Sequence, residues 1–321
     1  MLRKALTLAL SLAVGLMLAE LGFRALVHSG AVDYPAPPER GLIHRYSAID
    51  GLVYELRPSA AAYRGRVRTN RHGMRDHEYD LAKPPGVTRI CVLGDSVAFG
   101  FGSRPIAQGR TFPDLLEQQL NESATGRFEV LNFAVVGYNA EQEAIVLEQK
   151  VLAFDPDVVL LAYVPNDDTY TDGFGALARE TSPQALGSRL RSKLVSYLLH
   201  RRERRRFPQL SDPQRVWSLF DRLEQLGRRE DFDVVVLVTA YAQELGRRDP
   251  KHDAVVGQAR ARGFQVVDLK ESWKSLSPCE ARPLYDGTFE HFSQAGMQAV
   301  AEELQRALRE AGAAAPSAPS G

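Results

Sequence analysis

Cysteine is scarce in this chain, and neither sign of charge is in excess. Cys91 and Cys279 are its only cysteines. Cys91 falls inside an apolar run and Cys279 in a distant loop, so a disulfide between them would need an awkward reach, and no spacing resembles a metal-ligand set. The 40 Lys and Arg residues balance 40 Asp and Glu, for a formal net charge of +0. A neutral chain lacks the electrostatic footprint of a nucleic-acid binder, and no such partner is expected. Phosphate cradles are missing too. Gly102 to Gly109-Arg110-Thr111 resembles a Walker A loop only faintly, with glycines too far apart and Arg110 where a lysine belongs. Nothing completes a dinucleotide fingerprint, so no cofactor and no metal are expected. Gly94-Asp95-Ser96-Val97-Ala98 lacks the second glycine of a G-x-S-x-G elbow, which disfavours an α/β-hydrolase.

With 321 residues, 44% of them hydrophobic and 25% charged, the chain is globular and long enough to bury a full core. It is organised around Arg89–Phe101, R-I-C-V-L-G-D-S-V-A-F-G-F. Ile90 to Leu93 is an unbroken apolar run that predicts a strand buried on both faces of a parallel sheet. Gly94 ends it with a tight turn, and Asp95-Ser96 falls where a helix begins. A hydroxyl there lies in the crevice where open α/β sheets bind ligands. By itself this tripeptide says no more than that a helix is capped.

The remaining pattern alternates. Strands are predicted near Arg89–Leu93, Phe128–Phe133, Val158–Tyr163, Val234–Thr239 and Gln265–Val267. Helices are predicted near Thr111–Leu120, Ala140–Leu152, Gln214–Gly227, Asp253–Ala261 and Ser293–Glu310. Strands separated by helices imply an α/β fold with parallel pairing through right-handed crossovers. Residues 85–311 form this domain, and an insertion at about 168–213 is too long for an ordinary connection and hangs over the site as a lid. Within it, Arg189 to Phe207 interleaves basic residues with Leu190, Leu194, Tyr197 and Leu198. That pattern fits a solvated amphipathic helix or, more sharply, contact with anionic lipid or glycan. Residues 312–321 read as a disordered tail.

At the N-terminus Arg3-Lys4 precedes an apolar run from Ala5 to Ala19, which as a helix spans about 22 Å against a hydrocarbon core of about 30 Å. That length alone suits a signal peptide. The run resumes after Glu20, however, and Arg24 is placed to pair with Glu20 one turn away. Residues 1–28 are therefore expected to be an uncleaved transmembrane helix, with a cleaved signal peptide as the alternative, and the rest of the chain outside the cytoplasmic membrane. Residues 29–84 form a proline-dotted connector with a short hairpin around Arg66–Asn70. Asn70–Asp76 receives no chemical role, and His72 and His77 read as surface residues rather than ligands.

Asn132-Phe133-Ala134-Val135-Val136-Gly137-Tyr138 follows the second strand, Pro165-Asn166-Asp167 the third, and His291-Phe292-Ser293 precedes the last helix. This series of Ser, Gly, Asn and His resembles the SGNH (GDSL-type) hydrolase family over about Asn70 to Leu308. The frame from N-R-H-G-M-R-D through R-I-C-V-L-G-D-S-V-A-F-G resembles its membrane-anchored bacterial members. The resemblance implies a flavodoxin-like three-layer α/β/α sandwich that hydrolyses or transfers acyl groups. It implies Ser96 as nucleophile, His291 as base, and an oxyanion hole of the Ser96 and Gly137 N–H groups with the Asn166 amide. Relatives place an aspartate three residues before the histidine, where this chain has Thr288. Asp286 is the expected acid, Glu290 the alternative, and a Ser-His dyad a third arrangement. The expected activity is an extracytoplasmic serine esterase acting on an O-acyl envelope carbohydrate or lipid. An O-acyltransferase with the same site and a non-catalytic glycan- or lipid-binding protein stand beside it.

Overall fold

The computed structural model describes residues 2–29, 43–52, 54–102, 104–123, 126–169, 194, 211–287 and 290–310. The expected lid and its basic stretch, part of the connector and the tail lie outside them. The chain divides into two compact units, Met1–Glu39 with Phe174–Pro208, and Arg40–Gly173 with Gln209–Gly321.

In the first unit, helix α1 runs from Leu2 to His28. Glu20 accepts a hydrogen bond from Arg24 Nε at 2.7 Å and another from the backbone N–H of Leu194 at 3.0 Å. Among the described residues no helix is long and apolar enough to cross a membrane, so the expected transmembrane span is not shown there. In α1 the apolar run is interrupted by Glu20 and Arg24, which pair with each other at 2.7 Å.

The second unit carries the α/β fold. Two short antiparallel pairs come first, β1 (His44–Tyr46) with β2 (Tyr54–Leu56) and β3 (Ala61–Ala62) with β4 (Val67–Arg68). A five-stranded parallel sheet follows, built from β5 (Val87–Gly94), β6 (Arg127–Asn132), β7 (Val158–Tyr163), β8 (Asp233–Val238) and β9 (Gln265–Asp268) in the order β6-β5-β7-β8-β9. That is the flavodoxin-like order, in which the direction of winding, not of the strands, switches between β5 and β7. Every residue of β5 and β7 is buried, which is why both read as continuous apolar runs rather than alternating ones. Right-handed crossovers put α3 (Phe112–Ser123) on one face of the sheet and α4 (Ala140–Gln149), α5 (Gln214–Glu230) and α6 (Pro250–Ala261) on the other. The last helix, α7 (Gln294–Glu310), packs beside α3. The helix expected to continue to Leu152 stops at Gln149, because Lys150 leaves helical geometry at φ −131° and Val151–Phe154 tightens into a 3-10 turn.

Strand β6 lies at the edge of the sheet, where unpaired backbone groups would invite another chain to pair. Side chains occupy them instead. The N–H groups of Phe128, Val130 and Asn132, alternate residues on the open side, donate to Asn121 Oδ1 at 3.0 Å, Glu117 Oε2 at 2.6 Å and Asp76 Oδ2 at 2.8 Å. Tyr79 Oη and Asn121 Nδ2 donate to the carbonyls of Val130 and Phe128. Asn70–Asp76, chemically silent as sequence, thus closes an edge. His77 is half exposed and sits 3.1 Å from Asp76 Oδ1, a contact that pushes its imidazole up to about 9. It is a surface partner of Asp76, in line with its reading as a surface residue.

Arg89 is fully buried at the lower end of β5. Its guanidinium meets Glu129 Oε2 at 2.7 and 3.0 Å and donates to the carbonyls of Leu81, Phe154 and Asp80. Removing one partner from a buried pair strands the other charge. Glu129→Ala is expected to lower unfolding stability by about 3 kcal/mol or more, read by denaturant titration. A loss below about 1 kcal/mol would show that the backbone carbonyls alone satisfy the guanidinium.

Candidate active site

Gly94 ends β5, and Asp95 caps a single turn of helix, α2 (Ser96–Phe99), by accepting the Val97 N–H at 2.9 Å. Ser96 therefore emerges at the carboxyl end of the sheet, beside the place where strand order reverses. Its Oγ lies 2.9 Å from His291 Nε2 and 3.0 Å from Asp95 Oδ2.

A small hairpin delivers the histidine. Tyr285 pairs with Phe292, the Asp286 N–H donates to the His291 carbonyl at 2.8 Å, and the Ser293 N–H to the Leu284 carbonyl at 2.9 Å. Trp273, Tyr285 and Phe292 support this hairpin with mutual ring contacts of 5.3–6.2 Å, and Tyr285 Oη anchors it to the carbonyl of Ala240. In this register Asp286 stands directly opposite His291, and cross-strand partners project to the same face. Gly102 backs the pair: a methyl group there would overlap the Asp286 carboxylate and approach His291 Cβ to 3.4 Å. Glu290, the alternative acid, adjoins His291 in the chain and is exposed. Thr288 and Phe289 lie outside the described residues.

The expected oxyanion donors occupy the ends of the next two strands. Beyond β6 the Val135 N–H donates to the Gly94 carbonyl at 3.2 Å, tying this loop to the end of β5. Gly137 turns the loop at φ +81°, which favours a residue without Cβ. Tyr54, from the connector, donates to the Val136 carbonyl at 2.8 Å and fixes the turn from behind. Beyond β7, Asn166 Nδ2 lies 3.3 Å from Asp95 Oδ2, and Tyr241 Oη lies 3.3 Å from Asn166 Oδ1. Ser96, His291, Asp286 and Asn166 thus gather at one crevice.

A family model, the GDSL-like Lipase/Acylhydrolase family, matches residues 92–299. The chain belongs to that family. It is an esterase or acylhydrolase of the serine type. Solved structures similar to it include a lipase/acylhydrolase from Enterococcus faecalis, 15% identical over 70% of this chain and 96% of that one, with a TM-score of 0.47. The acetyl xylan esterase AlAXEase is 14% identical over 68% and 99%, TM-score 0.46. Esterase EstA from Pseudoalteromonas sp. is 11% identical over 70% and 97%, TM-score 0.44. No curated protein matches the chain.

Three features of this acylhydrolase escaped the sequence reading. Arg75 is buried, and its guanidinium lies over the Phe99 ring at 4.7 Å while donating to the carbonyls of Phe99, Gly100 and Ile106. Burial lowers it to about 10, so it stays charged and braces the exit of the turn that carries Ser96. Asp76 binds Asn132, whose amide in turn holds the carbonyl of Ala98 at 3.0 Å, a second brace on the same turn. A charged pair just ahead of an apolar strand was the only signal of either.

The third lies beneath the site. Glu143, on α4, is buried, with neither carboxylate oxygen meeting a hydrogen-bond donor among the described residues, and Oδ1 of Asp167 is in the same position. Burial first, then repulsion from Asp95, pushes Glu143 well above its ordinary value. Asp167 is raised by burial and by Glu143, Asp95 and Asp168. Burial and neighbouring carboxylates both favour the protonated form of such acids. A raised folded-state value favours the folded protein fully below the unfolded value of 4.5, and that advantage is lost as pH climbs toward the folded one. Glu143→Gln is a permanent mimic of the protonated acid. Its stability relative to wild type should therefore grow between pH 5 and pH 8 in paired denaturant titrations. A difference constant across that range would mean Glu143 is already ionised.

Proposed function

We propose that Ser96 is the nucleophile, His291 the general base and Asp286 the acid of an ester hydrolase acting on O-acyl groups of an envelope carbohydrate or lipid. The observation that carries the reading is the 2.9 Å contact of Ser96 Oγ with His291 Nε2, made beside Asn166 at the switch in strand order. Serine is a poor nucleophile until a base takes its proton. Ser96 Oγ attacks the ester carbonyl carbon as its proton passes to His291 Nε2. The carbonyl oxygen becomes an oxyanion that the Ser96 and Gly137 N–H groups and Asn166 Nδ2 stabilise. Collapse breaks the bond to the alcohol, which leaves with the proton from His291. Water then attacks the acyl-enzyme, giving its proton to His291, and the carboxylic acid departs as Ser96 is restored. If a sugar hydroxyl takes the place of water, the same residues transfer the acyl group.

Asp286 stands opposite the imidazole and steadies it as it becomes positive, a role exposed Glu290 is badly placed to fill. For the envelope location, α1 supplies the support. Its side chains at Leu8, Leu12, Leu16 and Leu18 are 61–73% exposed, on more than one side of the helix. An apolar helix surface of that extent requires an apolar surrounding, and a bilayer provides it.

Ser96→Ala is expected to abolish turnover of a short-chain aryl ester while retaining the fold, and Asn166→Ala to lower kcat by about 10²-fold. Asp286→Asn should reduce kcat by orders of magnitude and Glu290→Gln little; the reverse ranking would make Glu290 the acid. Full activity in Ser96→Ala would end the catalytic assignment. The full-length protein should remain with membranes after carbonate washing and keep its N-terminus near Met1. Release of a soluble species beginning near Val32 would indicate a cleaved signal peptide.

A further inference from the structure

We infer that Tyr241 is a positioning residue of the oxyanion hole, holding the Asn166 amide in the one rotation that aims an N–H at the developing charge. The inference rests on the role proposed for Asn166. An asparagine places its amide by a terminal torsion with a broad, nearly two-fold profile, so an anchored backbone does not by itself orient the donor.

The backbone here is well anchored. Lys251 Nζ, from α6, donates to the Pro165 carbonyl at 2.6 Å and pairs with Asp168 Oδ2 at 2.8 Å. The Asp167 N–H returns to the Val164 carbonyl at 3.1 Å, and the Asp167 carbonyl accepts the Ala140 N–H at 3.0 Å. None of these touches the Asn166 amide.

Its two ends meet two different groups. At one end stands Asp95 Oδ2, 3.3 Å away, which as a carboxylate oxygen can only accept; that end is Nδ2. One of the two amide hydrogens is then committed to Asp95, and the second is left for the substrate. At the other end stands Tyr241 Oη, 3.3 Å from Oδ1, where the phenol must donate. Burial, reinforced by the charges of Asp95 and Glu290, raises this phenol far above its ordinary value and keeps it protonated as a donor. Two contacts define the amide plane where Asp95 alone defines a single point. Tyr241 occupies the start of the loop after β8, so a fourth strand end contributes to the site. Without the phenol the amide rocks about the Asp95 contact, and the second hydrogen spends less time on the oxyanion's position.

A double-mutant cycle on aryl-ester hydrolysis tests this. Tyr241→Phe keeps the ring and removes only the hydroxyl. It should lower kcat about tenfold, less than outright loss of a donor, and leave KM within about twofold. In an Asn166→Ala background the same substitution should change nothing, because the phenol acts only through the amide. The side-chain amide resonances of Asn166, identified by their loss in Asn166→Ala, should shift in Tyr241→Phe, a readout independent of turnover. Unchanged kcat and amide resonances in Tyr241→Phe, with Asn166→Ala still impaired, would overturn the inference and leave the oxyanion assignment standing. A loss of the same size in both backgrounds would also overturn it. Unimpaired Asn166→Ala would overturn the oxyanion assignment and the role of Tyr241 together.

Discussion

A 2.9 Å hydrogen bond joins Ser96 to His291 across 195 positions of sequence, and the architecture of the second unit is a means of keeping that distance. Neither residue is held by the other. Ser96 is fixed by the end of a fully buried strand and by the Asp95 cap, and His291 by a hairpin seated on Trp273, Tyr285 and Phe292. The parallel sheet brings the two supports together, because its order reverses between β5 and β7 and opens a crevice at their carboxyl ends. Loops after β5, β6 and β7 then reach one place, and a reaction that needs a nucleophile and several convergent donors finds them at adjacent strand ends.

Around this crevice the chain spends buried charge on position rather than on direct chemistry. Arg75 gathers the carbonyls that leave the nucleophile's turn, and Asp76 reaches the same turn through Asn132. Glu143 and Asp167 lie beneath as acids whose ionisation burial and neighbouring carboxylates oppose. Buried charges and half-satisfied carboxylates are costly unless paired. Their concentration around one crevice matches the common finding that perturbed ionisation collects at functional sites.

Much of this was legible as sequence. Val158–Tyr163 is a strand with the limits its apolar run predicts, and the other four sheet strands lie within two residues of theirs, since a strand buried on both faces announces itself without help from its neighbours. The serine, histidine and asparagine proposed for the site were singled out through their frame and, for the serine and asparagine, their place after strand ends. The supporting residues were not. Arg75, Asp76 and Tyr241 act through contacts with backbone and side chains 24, 56 and 75 positions away, and no local pattern encodes such partners. Tyr241 was the most accessible of them, because it follows directly on the end of a predicted strand, where a ligand-facing side chain is always worth a question. The acid illustrates the opposite case: spacing left Asp286 and Glu290 open, and the hairpin register, a tertiary fact, favours Asp286.

The account stands or falls on Ser96 being activated by His291. The most direct measurement is the site and rate of covalent labelling by a fluorophosphonate, read by peptide mass spectrometry on the intact chain. Attack should form one P–O bond at Ser96 with loss of fluoride, and His291→Ala should slow it by orders of magnitude at neutral pH. Labelling at another residue, or labelling of Ser96 at an undiminished rate without His291, would contradict it.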